Sequence, residues 1–516
     1  MTVWLMIGYL LVGEVDSPKV DSIELATLID RRLAEHHQPN GIVPAQHADD
    51  AEFLRRLTLD LIGRIPTPQE VCSFVEDQNA DKRARRIDQL LSGPQHARHF
   101  AHVWRALLLP EAETEPQFRY FQPGLEAWLE QRRSENAGFD VFVRELLTVP
   151  IARPDETPEF VLRDLKKPNP IAFIAAKSGE PAKIASSSVR LFMGLRLECA
   201  QCHNHPFDHW TRTQFWNQAA FFAGIERRGR GAFAPLVDAD LKKIPLMDTK
   251  DIVPALYLDE TEPQFTDGKP ARVRFAEWMT SPHNPYFARA VVNRVWSQFM
   301  GLGLNDPVDD FRDTNSSAQG ALLEELADAF KVSRFDLTVL MRAICFSDAY
   351  QRTSRQTHES QADVLHFARM AIKPMSADQF FDSLAQTIGY EPKQTQDGNE
   401  DPLRRRVMDI FVSDGNSSDP ETAVAQALAL MNGSVVHRAT KLDTSARLKQ
   451  TLEEFPDAPE RQIEALYLAT FSRFPTIDEQ QQLRDFYHKG DASERPRRLG
   501  DIFWVLLNSA EFRWNH

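Results

Sequence analysis

Cysteine is scarce in this chain, with four in 516 residues. That is too few for a fold stapled together by disulfides, and it makes the position of each cysteine informative. Basic residues are also in short supply. Lys and Arg number 60 against 74 Asp and Glu, a net charge of −14, which argues against a surface built for nucleic acid or an anionic membrane. No Gly-rich phosphate loop, no nucleophile elbow and no apolar run long enough to span a bilayer occurs. The apolar stretch Val3 to Val12, with Trp4, Leu5, Met6, Ile7, Leu10 and Leu11, is too short for a span. It resembles the core of a signal peptide that lacks both a basic start and a small-x-small cleavage site. What the chain does have is 42% hydrophobic and 10% aromatic residues over a length that predicts two or more globular domains.

Two of the four cysteines fall in one window, Cys199-Ala200-Gln201-Cys202-His203. Cys-x-x-Cys-His is the pattern for covalent haem attachment, in which two thiols bond the haem vinyl groups and the adjacent imidazole becomes the proximal iron ligand. Cys199, Cys202 and His203 are therefore the candidate haem c residues, with His203 on the iron. Met193, His205, His209, His283 and Met300 are candidates for the sixth ligand, which an open position would replace; nearness in sequence favours His205 and His209. The competing reading is a non-catalytic helical binding or assembly module whose window holds zinc, with His205, Asp208 and His209 completing a tetrahedral set, or is purely structural. Adjacent Cys202 and His203 fit one small ion poorly. Apolar repeats flank the window: Val189, Leu191, Phe192, Leu195 and Leu197 before it, and Phe215, Trp216, Ala219, Phe221 and Phe222 after it, the latter on a helix capped by Thr213. They supply either walls for a haem or ordinary core. Cys72 and Cys345 read as isolated buried thiols.

Elsewhere the periodicity is helical, so the predicted fold is mainly α: two helical domains, 21–228 and 269–516, joined by a Pro-rich irregular linker over 229–268, after a short signal-like segment over 1–20. Helices are expected over Ile23–Leu33, over Ala51–Leu61 with Phe53, Leu54, Leu57 and Leu61 as its stripe, and from Tyr286 to Met300. Thr67-Pro68-Gln69-Glu70 spells a capping box, and Asp140 and Asp336 stand where N-caps are expected. A polar stretch from Glu391 to Pro420 reads as an exposed loop with a strand-like insert, Val407 to Val412. One echo runs from end to end: Leu57 to Glu70 and Leu466 to Glu479 both read helix, Arg-x-Pro-Thr turn, capped helix, which predicts that Arg64 and Arg473 bond carbonyls or a carboxylate at the turn. On the Tyr286–Met300 helix, Asn293, Arg294 and Trp296, with Arg289 a turn earlier and Asp309, Asp310, Arg312 and Asp313 after a glycine turn, form either a grip for an anionic ligand or a structural ion-pair network.

The motifs Leu59-Asp60-Leu61-Ile62-Gly63-Arg64-Ile65-Pro66-Thr67-Pro68, Cys199 through Trp210, Asn293-Arg294-Val295-Trp296, Ser376-Ala377-Asp378-Gln379 and Asn508-Ser509-Ala510-Glu511-Phe512 carry a resemblance across nearly the whole chain. It resembles the planctomycete-specific cytochrome c-like family, in which two domains of unknown function, numbered 1549 and 1553, occur in tandem. The resemblance implies an exported, periplasmic or secreted, haem c protein. It also implies electron transfer or oxidative chemistry linked to extracellular polysaccharide breakdown, with sulfatase-like exported proteins as partners. No reaction is established for the family, so whether this chain is an enzyme stays open, and the redox partner is unspecified. Leu302 stands where the family has a basic residue, and a His-Pro expected in the loop holding Ser316 and Ser317 is missing, departures that put an activity of the second domain in doubt.

Overall fold

The computed structural model describes residues 20–157, 167–312, 315, 317–392, 401–411, 428, 431 and 433–516. Residues 1–19 of the signal-like segment, Asp313, Ser316 and, of the polar stretch over 391–420, residues 393–400 and 412–420 lie outside these. The described chain is mainly helical, and among the described residues strands occur only as three two-stranded pairs. Ile225–Arg227 pairs antiparallel with Leu236–Asp238, Lys243–Pro245 with Ile252–Pro254, and Lys373–Pro374 with Trp514–Asn515. The first two pairs give order to the Pro-rich segment. Leu236 and Val253 are buried, and the Asp238 carboxylate accepts from Arg272 at 2.8 Å.

Two hydrophobic cores hold the helices. The larger gathers Leu25, Phe53, Trp104, Phe192, Phe222, Phe287 and Trp296, so it draws on both sides of the Pro-rich segment. The smaller is built on Phe380, Leu384, Ile463, Leu466, Phe503 and Phe512, and it also takes Leu59 and Ile65 from the other end of the chain. Helix Asp50–Ile62 thus serves both. Its expected stripe of Phe53, Leu54, Leu57 and Leu61 faces the larger core, while Leu59 enters the smaller, so nearly the whole helix is buried.

Several local expectations hold. Asp336 caps helix Leu337–Phe346 by accepting from the Thr338 and Val339 amides. Both halves of the echo fold alike. Arg64 Nη1 donates to the Ile65 carbonyl at 2.9 Å and to Glu70 at 2.8 Å; Arg473 Nη1 donates to the Phe474 carbonyl at 3.1 Å and to Glu479 at 2.8 Å. Thr67 with Glu70 and Thr476 with Glu479 are complete capping boxes. The glutamates therefore close a turn and a cap at once. Removing the hydroxyl in Thr67→Ala is expected to cost about 1 kcal/mol. Urea unfolding at neutral pH checks it, and an unchanged midpoint contradicts it.

Three expectations are corrected. Asp140 is not the cap of its helix: Phe139–Thr148 begins two residues earlier than that cap would place it, behind Gly138, and Asp140 instead binds Arg144 at 2.6 Å. A β carbon on Gly138 would stand 2.7 Å from the Arg334 carbonyl, which is why the chain enters there without a side chain. Thr211, not Thr213, caps Arg212–Ala219, because it alone is placed for a reciprocal box with Gln214. The strand-like Val407 run is part of a helix, Pro402–Phe411: Asp401 accepts from the Leu403 and Arg404 amides, and Pro402 presets the first turn.

Candidate functional site

The Cys-x-x-Cys-His window forms a surface loop between helices Pro181–Met193 and Arg212–Ala219, opening with a short 3-10 turn, Glu198–Gln201. Its upstream stem is fixed by Gly194, whose left-handed φ of 68° ends the first helix and whose missing β carbon leaves room for the Phe311 ring. Phe311 N also donates to the Gly194 carbonyl at 3.1 Å. Downstream, the Trp216 indole donates to the Gln201 carbonyl at 3.0 Å, and Asn204 Oδ1 accepts from the Arg212 amide at 2.9 Å. Both ends of the loop are thus tied to rigid helices.

Within the loop, Cys199 and Cys202 are exposed free thiols and His203 is exposed. His203 Nδ1 lies 2.7 Å from the Asn204 carbonyl, which fixes the ring with Nδ1 as the donor and leaves the lone pair of Nε2 for a metal. His205 Nδ1 accepts from the Phe207 amide at 3.2 Å, and His209 pairs with Asp208 at 2.8 Å while its ring lies 4.1 Å from that of Trp210. Phe207 stands beside them 73% exposed. Two reachable thiols and an adjacent imidazole with a free Nε2 are the donor set that covalent haem requires, so these residues fit the group.

The remaining candidates do not gather here. Met193 and Met300 are buried in the larger core, and His283 is exposed on the connection between two helices, Ala271–Met279 and Phe287–Met300. The flanking repeats, Val189, Phe192, Leu195, Leu197, Phe215, Trp216 and Phe222, are likewise part of the core rather than walls standing open beside the loop. For the zinc alternative, no group of three or more His, Cys, Asp or Glu stands close enough to hold an ion among the described residues.

The polar constellation of the second half packs against the stem of this loop. Asp309 binds Arg190 and, at 2.6 Å, Arg196, while Arg190 also reaches Glu198 at 3.5 Å. Asn293 pins the glycine turn through the Asn305 carbonyl at 2.7 Å and the Asn305 amide at 2.9 Å. Arg289 pairs with Glu324 and Arg312 with Asp310. Arg294 is buried, and burial lowers its pKa against the opposing pull of the Asp309 carboxylate. These partners are the chain's own, which is the structural network rather than an open anion grip.

Sequence reasoning missed a second polar centre. Asp60, whose side chain is only 3% exposed between Leu59 and Leu61, accepts from Lys373 at 2.7 Å, Tyr350 Oη at 2.9 Å and Asn515 at 2.8 Å. Burial raises the Asp60 pKa and lowers that of Lys373, each opposing its charged form. The signal was an acid set between two leucines at the end of a helix that is buried along nearly its whole length, where a carboxylate needs a counter-charge.

No described helix is long and apolar enough to cross a membrane. No curated protein and no solved structure matches the chain. Two family models do match, one over residues 28–227 and the other over residues 271–409. The chain belongs to the family that carries these in tandem, Protein of unknown function (DUF1549) followed by Protein of unknown function (DUF1553).

Proposed function

We propose that this chain is an exported haem c protein, held through Cys199, Cys202 and His203, that transfers electrons or supports oxidative chemistry beside extracellular polysaccharide breakdown. The observation that carries it is the loop itself: two exposed free thiols, and a histidine whose Nδ1 is committed to the Asn204 carbonyl at 2.7 Å. Covalently bound haem would supply one-electron chemistry at its iron. The protein's part is to hold the imidazole oriented and basic through that carbonyl, and to keep the loop ends fixed through Trp216 and Arg212. His205 and His209 are the proposed candidates for a further ligand, on their nearness in sequence to His203. The periplasm or the cell exterior follows as the location, because attachment of this kind occurs outside the cytoplasm, and sulfatase-like exported proteins are the proposed partners.

The test is expression with a haem-attachment system. Wild-type protein is expected to keep its haem through acid–acetone extraction. Cys202→Ser should retain a single thioether with a red-shifted haemochrome α band, and Cys199→Ser/Cys202→Ser should lose the haem. A colourless wild type with both thiols titratable overturns the proposal.

A further inference from the structure

Away from the cysteine loop, a cleft of about 1230 Å³ opens between helices Pro94–Leu108 and Gln122–Ser134 on one side and Ala377–Ile388 and Pro402–Phe411 on the other. Its charges are mixed in sign. Arg105 bridges Glu126 at 2.9 Å and Asp378 at 2.6 Å, and Arg404 joins Asp378 to Asp382, which sit on successive turns of one helix. His102 faces the same carboxylate, with Nδ1 3.9 Å from Asp378. Two tyrosines stand in the lining, Tyr120, which is 54% exposed, and Tyr390, whose hydroxyl donates to Asp401 at 2.8 Å.

His99 lines this cleft and also a smaller chamber of about 340 Å³, walled by Phe100, Phe299, Met341 and Met375 together with Asp60 and Asn515. Asn515 is 2% exposed. Its amide nitrogen donates to Asp60 while its Oδ1 has no partner. Turning the amide over would forfeit the bond to Asp60, so the chamber holds a buried acceptor that a donor on a ligand would satisfy.

We infer that cleft and chamber together bind a neutral, hydroxyl-rich chain, an oligosaccharide, with its terminal unit in the chamber against Asn515 and His99. The outer space exceeds what one small molecule fills, which calls for several linked units. The six arginines and five carboxylates of the lining nearly balance, which leaves no field of one sign to hold a polyanion or a polycation. They do leave guanidinium and carboxylate edges locked in place, and a hydroxyl, which both donates and accepts, meets either kind. Tyrosine faces and the apolar chamber wall suit the C–H faces of a sugar ring. This inference rests on the cleft alone and stands or falls apart from the haem reading.

The test is calorimetric titration of the full-length protein with cellohexaose, xylohexaose and mannohexaose, alongside a sulfated hexasaccharide and a hexapeptide of mixed charge. At least one neutral hexasaccharide is expected to bind. Tyr120→Ala, Asp382→Asn or both should weaken it about ten-fold while the circular dichroism and any bound haem stay as in wild type. Tyr120 is exposed enough that its truncation leaves folding intact. No binding of any neutral hexasaccharide at millimolar concentration, binding that both variants leave unchanged, or tighter binding of the sulfated sugar or the peptide overturns the inference.

Discussion

Lys373→Met is expected to destabilise the protein by about 3–5 kcal/mol, the cost of leaving a buried charge without its partner. Lys373 spends all three ammonium protons inside the protein, on Asp60 and on the carbonyls of Gln298 and Phe299 at 2.5 and 2.7 Å. Methionine matches its stem but leaves the Asp60 carboxylate facing only Tyr350 and Asn515 at close range. Asp60→Asn/Lys373→Met removes both charges, so it should recover much of the loss, because burying a neutral pair avoids most of the desolvation penalty. Urea unfolding of the two variants decides. A single mutant costing under about 1 kcal/mol shows that the pair is not buried as described.

Acid should unfold this protein from an unusually high pH. Burial holds His96 at about 3, His99 at about 4 and His102 at about 3, with Arg133 adding to the effect on His96 and Arg404 on His102. In the unfolded chain these imidazoles take up protons near pH 6.5, so between that value and the folded ones the unfolded state binds more protons. Their stabilising contribution is whole above pH 6.5 and is lost as the pH falls toward 4. Asp382 runs the other way. Burial raises it to about 6, so folding favours its protonated form and returns a little stability as the pH drops through 6. The balance is a loss on the order of 4 kcal/mol between pH 7 and pH 5. Urea midpoints measured across that range check it. His102→Gln should flatten the profile, whereas a wild-type profile already flat over this interval contradicts the burial of these rings.

What was legible in the sequence is what is local. The caps at Thr67, Thr476 and Asp336, and the Arg64 and Arg473 turns, are decided within a few residues by side chains that reach nearby amides and carbonyls. The Cys199–His203 window is local in the same sense, since the residues that suggest haem are contiguous and the proposal rests on their spacing. Where two residues competed for one role, as with Thr211 and Thr213, only the geometry of the preceding turn decides. The Val407 run looked like a strand because its helical partner face, Leu403 and Val407, is so short. Leu59 and Asp60 were read as part of one amphipathic helix because nothing in the stretch itself announces a second core approaching from the far end of the chain. The cleft was invisible for the same reason: Arg105 and Asp378 lie 273 residues apart, and each alone reads as an ordinary surface charge.

The central claim, haem bonded to Cys199 and Cys202, is tested most directly by the intact mass of mature protein isolated from its native host, followed by a peptide map of the loop. The account predicts a mass gain of one haem, carried on the peptide that contains both cysteines, with no thiol there left to alkylate. An unmodified peptide, with both cysteines alkylated and no tetrapyrrole mass on the protein, contradicts it.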